Sequence, residues 1–332
     1  MTRIFVSGVA GFLGSHLADA LLARGHEVIG CDNYIGGEFE NIPKGVVFHI
    51  ADCNDLDRMR EIVKGCEIVY HCAATPYEGL SVFSPHTITQ GIVTASTGMF
   101  SAAISRGVRR VITLSSMARY GTNDVPFVES MEPRPQDPYG IGKVCVEQML
   151  ANLASLHDFE HVICVPHNII GPRQRHTDPF RNVASIFIHR MLLGKQPIIY
   201  GDGAQMRCFS FVDDVVDPLV AMAIADVDGE VINVGPDDGF ISINGLAQVI
   251  ANLIDFKLDP IYEPGRPAEV RLANCSANKA RDLLDYHPRI KLEAGLMTMI
   301  DWIRPRIGKF EYHLPLEIVN DRTPRAWAQR LM

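Results

Sequence analysis

Three glycines at intervals of three, in the run Gly8-Val9-Ala10-Gly11-Phe12-Leu13-Gly14, constrain this chain more than any other feature of its 332 residues. They stand between a short apolar run, Arg3–Ser7, and a stretch, Phe12–Arg24, in which Leu13, Leu17, Leu21 and Leu22 recur at helical spacing. A strand, a glycine turn and a helix in that order leave the helix N-terminus open, with free N–H groups and a partial positive charge to receive a phosphate. The glycines permit a tight turn, close approach of the backbone to a pyrophosphate, and close packing of helix on strand. Asp32 stands at the tip of the next apolar run, Glu27–Cys31. A carboxylate there accepts from a ribose hydroxyl and repels a 2′-phosphate, so the pattern points to NAD rather than NADP.

Further apolar runs follow at Val46–His49, Ile68–His71, Val111–Leu114 and His161–Val165, with helical patterns at Leu56–Lys64, His86–Arg106 and Tyr139–Leu156. Strands alternating with helices imply parallel βαβ units, hence an α/β fold with a doubly wound parallel sheet of the Rossmann kind. Beyond Val165 the alternation weakens into Pro- and Gly-containing loops and short helices. This predicts a smaller, discontinuous α/β substrate-binding domain over the C-terminal edge of the sheet. The expected division is 1–166, with about 207–234, for the dinucleotide-binding domain, and 167–206 with 235–332 for the other. The residues from about Phe310 onward, rich in aromatics, Pro and charge, fit neither pattern.

Composition narrows the function classes. A net charge of -8 with no basic run argues against nucleic acid. No stretch carries the ~18 consecutive apolar residues of a membrane helix, and the N-terminus enters an apolar run without a charged leader, so a cytoplasmic protein is expected. The eight cysteines form no C-x-x-C pair and several lie in strand-like runs, which favours buried thiols. The twelve histidines lack metal-site spacing, and no metal is expected.

Tyr139 and Lys143 lie four residues apart, on one face of a helix. A phenol ionises near pH 10, and a neighbouring ammonium together with an oxidised nicotinamide would bring it toward neutrality as a general base. Lys143 can also hold the nicotinamide ribose. Ser115 and Ser116 follow the run Val111–Leu114, at a strand's C-terminal tip, where doubly wound folds place their chemistry. Ser116 is the hydroxyl expected to bridge substrate and Tyr139.

The order of these motifs resembles the extended short-chain dehydrogenase/reductase family, and most closely its nucleotide-sugar epimerases and dehydratases. The resemblance runs from Gly8, Gly11 and Gly14 through His71-Cys72-Ala73-Ala74, Ser115 to Gly121, and Pro138-Tyr139 with Lys143. It continues through Asn168 with Gly171-Pro172, the segment Tyr200 to Arg207, Val212 to Val215, Asn233 to Gly235, and Arg266 to Val270, about 300 residues in all. It implies further roles. Asp52 and Cys53 would hold the adenine end of the cofactor, and Ala73 and Ala74 would line its phosphate–ribose path. Phe12, Leu13, Asn33, Cys72 and Pro166 would complete that set. Asn168, Arg207 and Arg266 would grip the sugar nucleotide, the arginines as diphosphate clamps, with Thr75 beside the sugar. Together with the apolar faces of His86–Arg106 and Tyr139–Leu156, the resemblance also implies a homodimer through a four-helix bundle.

Members of the family begin with proton removal by the tyrosine while C4 of the sugar gives hydride to NAD. Dehydratases and decarboxylases usually carry acids just after the catalytic Ser/Thr, where this chain has Met117 and Ala118. The cysteine typical of GDP-mannose 3,5-epimerases is missing at Ala118. The resemblance therefore implies C4 epimerisation of a UDP-hexose; the alternatives are a dehydratase or keto-sugar reductase, or a silent NAD-binding relative. Departures from the family pattern stand at Ile92, His167, Ile170 and Cys275, and at Thr75 to Gly79 and Arg119 near the sugar.

Overall fold

A computed structural model describes all 332 residues. Seven parallel strands form its central sheet: β1 (Arg3–Ser7), β2 (Glu27–Asp32), β3 (Val47–Ile50), β4 (Ile68–His71), β5 (Arg110–Leu114), β6 (Glu160–Pro166) and β7 (Val231–Val234). Their order is β7-β6-β5-β4-β1-β2-β3, so the chain winds outward first one way from β1 and then the other. The reversal of strand order beside β1 opens a crevice at the strands' C-terminal ends. β1 and β4 to β6 are almost wholly buried, as their near-continuous apolar sequences require of a sheet covered on both faces. β7 had no place among the expected strands. It pairs in register with β6, Val231 beside Ile163 and Val234 beside Pro166.

The helix Phe12–Ala23 starts at Gly11 and turns Leu17, Ala18 and Leu21 onto the sheet. The helix Pro138–His157 is set by local chemistry at its start: Pro138 occupies the first turn, and the N-cap Asp137 accepts from Gly140 N at 2.9 Å. The expected single helix His86–Arg106 is instead a helix, Pro85–Thr89, a π-helical turn, Gln90–Thr94, and a second helix, Ala95–Ser105. In that π turn Gly91 packs on Thr75, where a Cβ would come within 2.5 Å of the Thr75 side chain. Such single wide turns concentrate near functional sites.

The loop-rich remainder forms a smaller α/β unit. Ile198–Tyr200 pairs with Ile261–Glu263, and Met206–Arg207 lies between Ile241–Ser242 and Leu272–Ala273. Helices Val183–Leu192, Ile243–Leu253 and Leu292–Ile303 pack against this arm. No helix is long and apolar enough to cross a membrane.

Candidate active site

Every residue expected at the site, from Gly8 to Arg266, lines one cleft of about 570 Å³. At one end the glycine turn lies bare. Gly8 adopts φ +70°, and a Cβ there would meet Ala73 N at 2.8 Å; one on Gly14 would meet Gly8 O at 2.2 Å. Both obstacles are backbone, so only glycine fits. The buried Asp32 carboxylate is oriented by two backbone donors, Tyr34 N at 2.7 Å and Ala10 N at 3.2 Å. Burial raises its pKa against the pull of those hydrogen bonds. Asp52 accepts from Asn33 Nδ2 at 2.7 Å and from Asn54 N at 2.8 Å. Burial alone would raise Asp52, but these hydrogen bonds outweigh it and hold the carboxyl below its ordinary range. Phe12, Leu13, Cys53, Cys72, Ala73, Ala74 and Pro166 complete this wall. The bare turn beside a buried, oriented carboxylate fits a dinucleotide.

The strand-end serines divide their labour. Ser115 Oγ donates to Glu147, a carboxylate on the Pro138–His157 helix that also takes Arg119 Nε at 3.0 Å. Ser116 remains for the cleft: its Oγ accepts from Ala118 N at 3.2 Å, and its hydrogen bonding to Tyr139 pulls that phenol's pKa down. Burial nevertheless holds Tyr139 above its usual range, and the carboxylates of Glu78 and Asp137 push it further up. Lys143 donates to Leu114 O at 2.8 Å, with its ammonium 5.9 Å from the centre of the Tyr139 ring. Burial lowers Lys143 to about 8. His71, in the motif before the alanines, is structural: its ring bridges Ser7 Oγ at 2.8 Å and Ser96 Oγ at 2.9 Å, and burial lowers it to about 3.

At the far end Asn168, at φ +36°, donates to Cys208 O at 3.0 Å. Arg207 is less free than a clamp implies, since its guanidinium donates to Met206 O at 2.8 Å and Val270 O at 2.6 Å. Arg266 pairs with Glu269, Nη2 to Oε1 at 2.9 Å, and leaves its Nη1 edge toward Gly79. Thr75 lines the cleft with its hydroxyl on Ile88 O at 3.4 Å.

Several of the departures, Ile92, His167, Ile170, Cys275 and Arg119, lie outside the cleft lining. His167 is fully buried against Gly235 and Cys275, with Nδ1 3.6 Å from the Cys275 sulfur, and burial lowers it to about 4. Arg119 is buried on Glu147. Asp137 and Trp327 are among the cleft residues that sequence reasoning did not single out, whereas Glu78 lies in the Thr75–Gly79 segment expected near the sugar. Glu78 is exposed on the wall of the cleft. Desolvation by the cleft walls and the charge of the neighbouring Asp137 push its pKa up against the pull of Arg207 and Arg266. For Asp137, an Asp before Pro-Tyr was a visible signal. Trp327 had none, because it comes from the unassigned tail. No cluster of His, Cys, Asp and Glu is arranged to hold a metal.

Comparison with known proteins agrees with this geometry. Residues 4–235 match the NAD-dependent epimerase/dehydratase family. A UDP-glucose 4-epimerase of Mycolicibacterium smegmatis is 33% identical over 312 residues, covering 91% of this chain and 98% of that protein. A UDP-N-acetyl-alpha-D-glucosaminuronate decarboxylase of Bacillus cytotoxicus is 29% identical, with 91% and 98% covered. The crystal structure of a UDP-glucose 4-epimerase of Thermotoga maritima with UDP-glucose superposes with a TM-score of 0.87 at 31% identity, over 92% of this chain and 100% of that one. By its glycine turn, its Tyr139–Lys143 pair and these likenesses, the chain belongs to the NAD-dependent epimerase/dehydratase family of extended short-chain dehydrogenases.

Proposed function

We propose that this protein interconverts the C4 epimers of a UDP-linked hexose. The observation that carries the reading is the single cleft, which joins the glycine turn and Asp32 at one end, Ser116, Tyr139 and Lys143 in the middle, and Asn168, Arg207 and Arg266 at the other. Bound NAD supplies a hydride acceptor and donor. Gly8, Gly11 and Gly14 admit its pyrophosphate, and Asp32 takes a ribose hydroxyl and disfavours a 2′-phosphate. Asp52, with Asn33 and Cys53, faces the adenine end. Tyr139 exchanges a proton with the sugar's 4-hydroxyl, Ser116 holds that oxygen, and Lys143 keeps positive charge beside the phenol. Arg266 and Arg207 hold the diphosphate while the 4-keto sugar turns its other face. The similarity to UDP-glucose 4-epimerases supports this choice.

A second reading, elimination or decarboxylation, is favoured by Glu78, a carboxyl whose pKa is pushed up in the same cleft, and by the decarboxylase relative. One experiment separates the two. Purified protein with NAD and a UDP-hexose should yield the C4 epimer with no net NADH, and NADP should not replace NAD. A 4-keto-6-deoxy sugar, or carbon dioxide from a UDP-hexuronate, would establish the second reading in its place.

We further propose a homodimer working in the cytoplasm. Ile141, Cys145, Met149 and Leu156 form a stripe along the outer face of the Pro138–His157 helix, with Ile141 56% and Leu156 68% exposed. Unpaired cysteines support a reducing compartment. Sedimentation at micromolar concentration should give twice the 36.8 kDa chain mass; a single-chain mass would refute the dimer.

A further inference from the structure

The part of this chain beyond the Leu292–Ile303 helix folds back along the cleft. Phe310 stacks on His189 with ring centres 4.6 Å apart. Glu317 caps the Pro85–Thr89 helix, accepting from His86 N at 2.9 Å and Thr87 N at 2.8 Å. Arg325 pairs with Glu263 at 2.8 Å. These anchors deliver Trp327, 3% exposed, into a cage of Phe83, Phe180 and Tyr200 with ring centres at 6.1, 5.1 and 6.1 Å.

Arg266 lies against the same cage. Its guanidinium carbon is 5.0 Å from the centre of the Tyr200 ring and 5.9 Å from that of Trp327. Glu269 takes its Nε and Nη2 edge. Gly79 sits where a Cβ would come within 2.9 Å of Arg266 Nη1 and 3.4 Å of Trp327 Cη2. The guanidinium thus rests against two neighbouring aromatic rings and is tied along one edge, with Nη1 left for a ligand, and Trp327 itself lines the cleft.

We propose that the segment 310–332 belongs to the nucleoside-diphosphate site, and that Trp327 is a positioning residue that fixes Arg266 for the diphosphate. This rests on the reading of Arg266 as a diphosphate ligand. A flexible guanidinium loses entropy when it binds, and holding it in place beforehand removes that cost. The contribution is to binding in ground and transition state alike, so it should be read in KM rather than kcat.

The test is calorimetric titration with UDP, together with kinetics on a UDP-hexose. Trp327→Ala should weaken UDP binding and raise KM by about 3- to 30-fold, the range of a partly desolvated cation–π contact, with kcat and NAD affinity held. Trp327→Phe should recover most of the loss. If wild type binds no UDP, the diphosphate reading falls and takes this proposal with it. If wild type binds UDP and Trp327→Ala binds it equally well, the reading stands and the proposal is overturned. Should Trp327→Ala fail to fold, Trp302→Phe leaves Trp327 as the one remaining indole of two. Its emission should change on adding UDP, and unchanged emission at saturating UDP would equally overturn the proposal.

Discussion

Replacing Tyr139 by Phe is expected to lower turnover by about 10²–10⁴-fold, the usual cost of losing a general acid–base group. The ring itself should stay, because it is buried on the Pro138–His157 helix and a Phe ring fills the same space. NAD affinity and melting temperature should therefore remain close to wild type, which separates a chemical loss from a structural one. Burial, Glu78 and Asp137 all raise the phenol's pKa, and Ser116 opposes them. Ser116→Ala should then act on the same proton path, and the double variant should lose less than the product of the two single losses. In the proposed mechanism Lys143, whose pKa burial lowers to about 8, is the partner whose charge would hold the phenoxide. Full turnover in Tyr139→Phe would remove this residue from the chemistry altogether.

How much of this was legible in the sequence depended on the range of the interaction. Strand ends such as Arg3–Ser7 and Ile68–His71 coincide with their apolar runs, because period and length are written locally. β7 was missed because Val231–Val234 is four residues long and follows a stretch whose alternation had already faded. The π turn at Gln90–Thr94 has no signal in the helical period; it becomes intelligible only once Gly91 is seen against Thr75. The site residues were readable where motif and chemistry coincided, as at Tyr139 and Lys143. They were unreadable where the partner lies far along the chain. Nothing near Ser115 announces that Glu147 will engage it, and nothing near residue 327 announces Arg266. For His167, beside a motif asparagine, the sequence left a substrate contact and a packed loop histidine both open; the structure buries its ring on Cys275.

Glu147→Ala is expected to destabilise the protein by about 3–5 kcal/mol, the cost of breaking a buried ion pair by removing one partner. Both side chains are 6% exposed, and the pair is close, Arg119 Nη2 to Glu147 Oε2 at 3.0 Å with Nε shared between the two oxygens. Little solvent would reach the arginine left behind, so its desolvation is not recovered. Taking an unfolding entropy of roughly 2 cal/mol/K per residue over the whole chain, the melting temperature should fall by about 4–7 °C. Calorimetry of Glu147→Ala measures this directly, and an unchanged melting temperature would mean that the pair is solvated and contributes nothing. Glu147→Leu with Arg119→Met should recover most of the loss, since a well-packed apolar pair replaces a buried ionic one at little cost. Recovered stability need not restore activity, and that difference is informative. Glu147 ties the tip of β5, through Ser115, and the turn carrying Arg119 to the helix that carries Tyr139. Ser116 sits between those two anchors, so without them its hydroxyl loses its fixed relation to the phenol. The apolar double variant should therefore melt like wild type and still turn over more slowly, with kcat reduced more than KM.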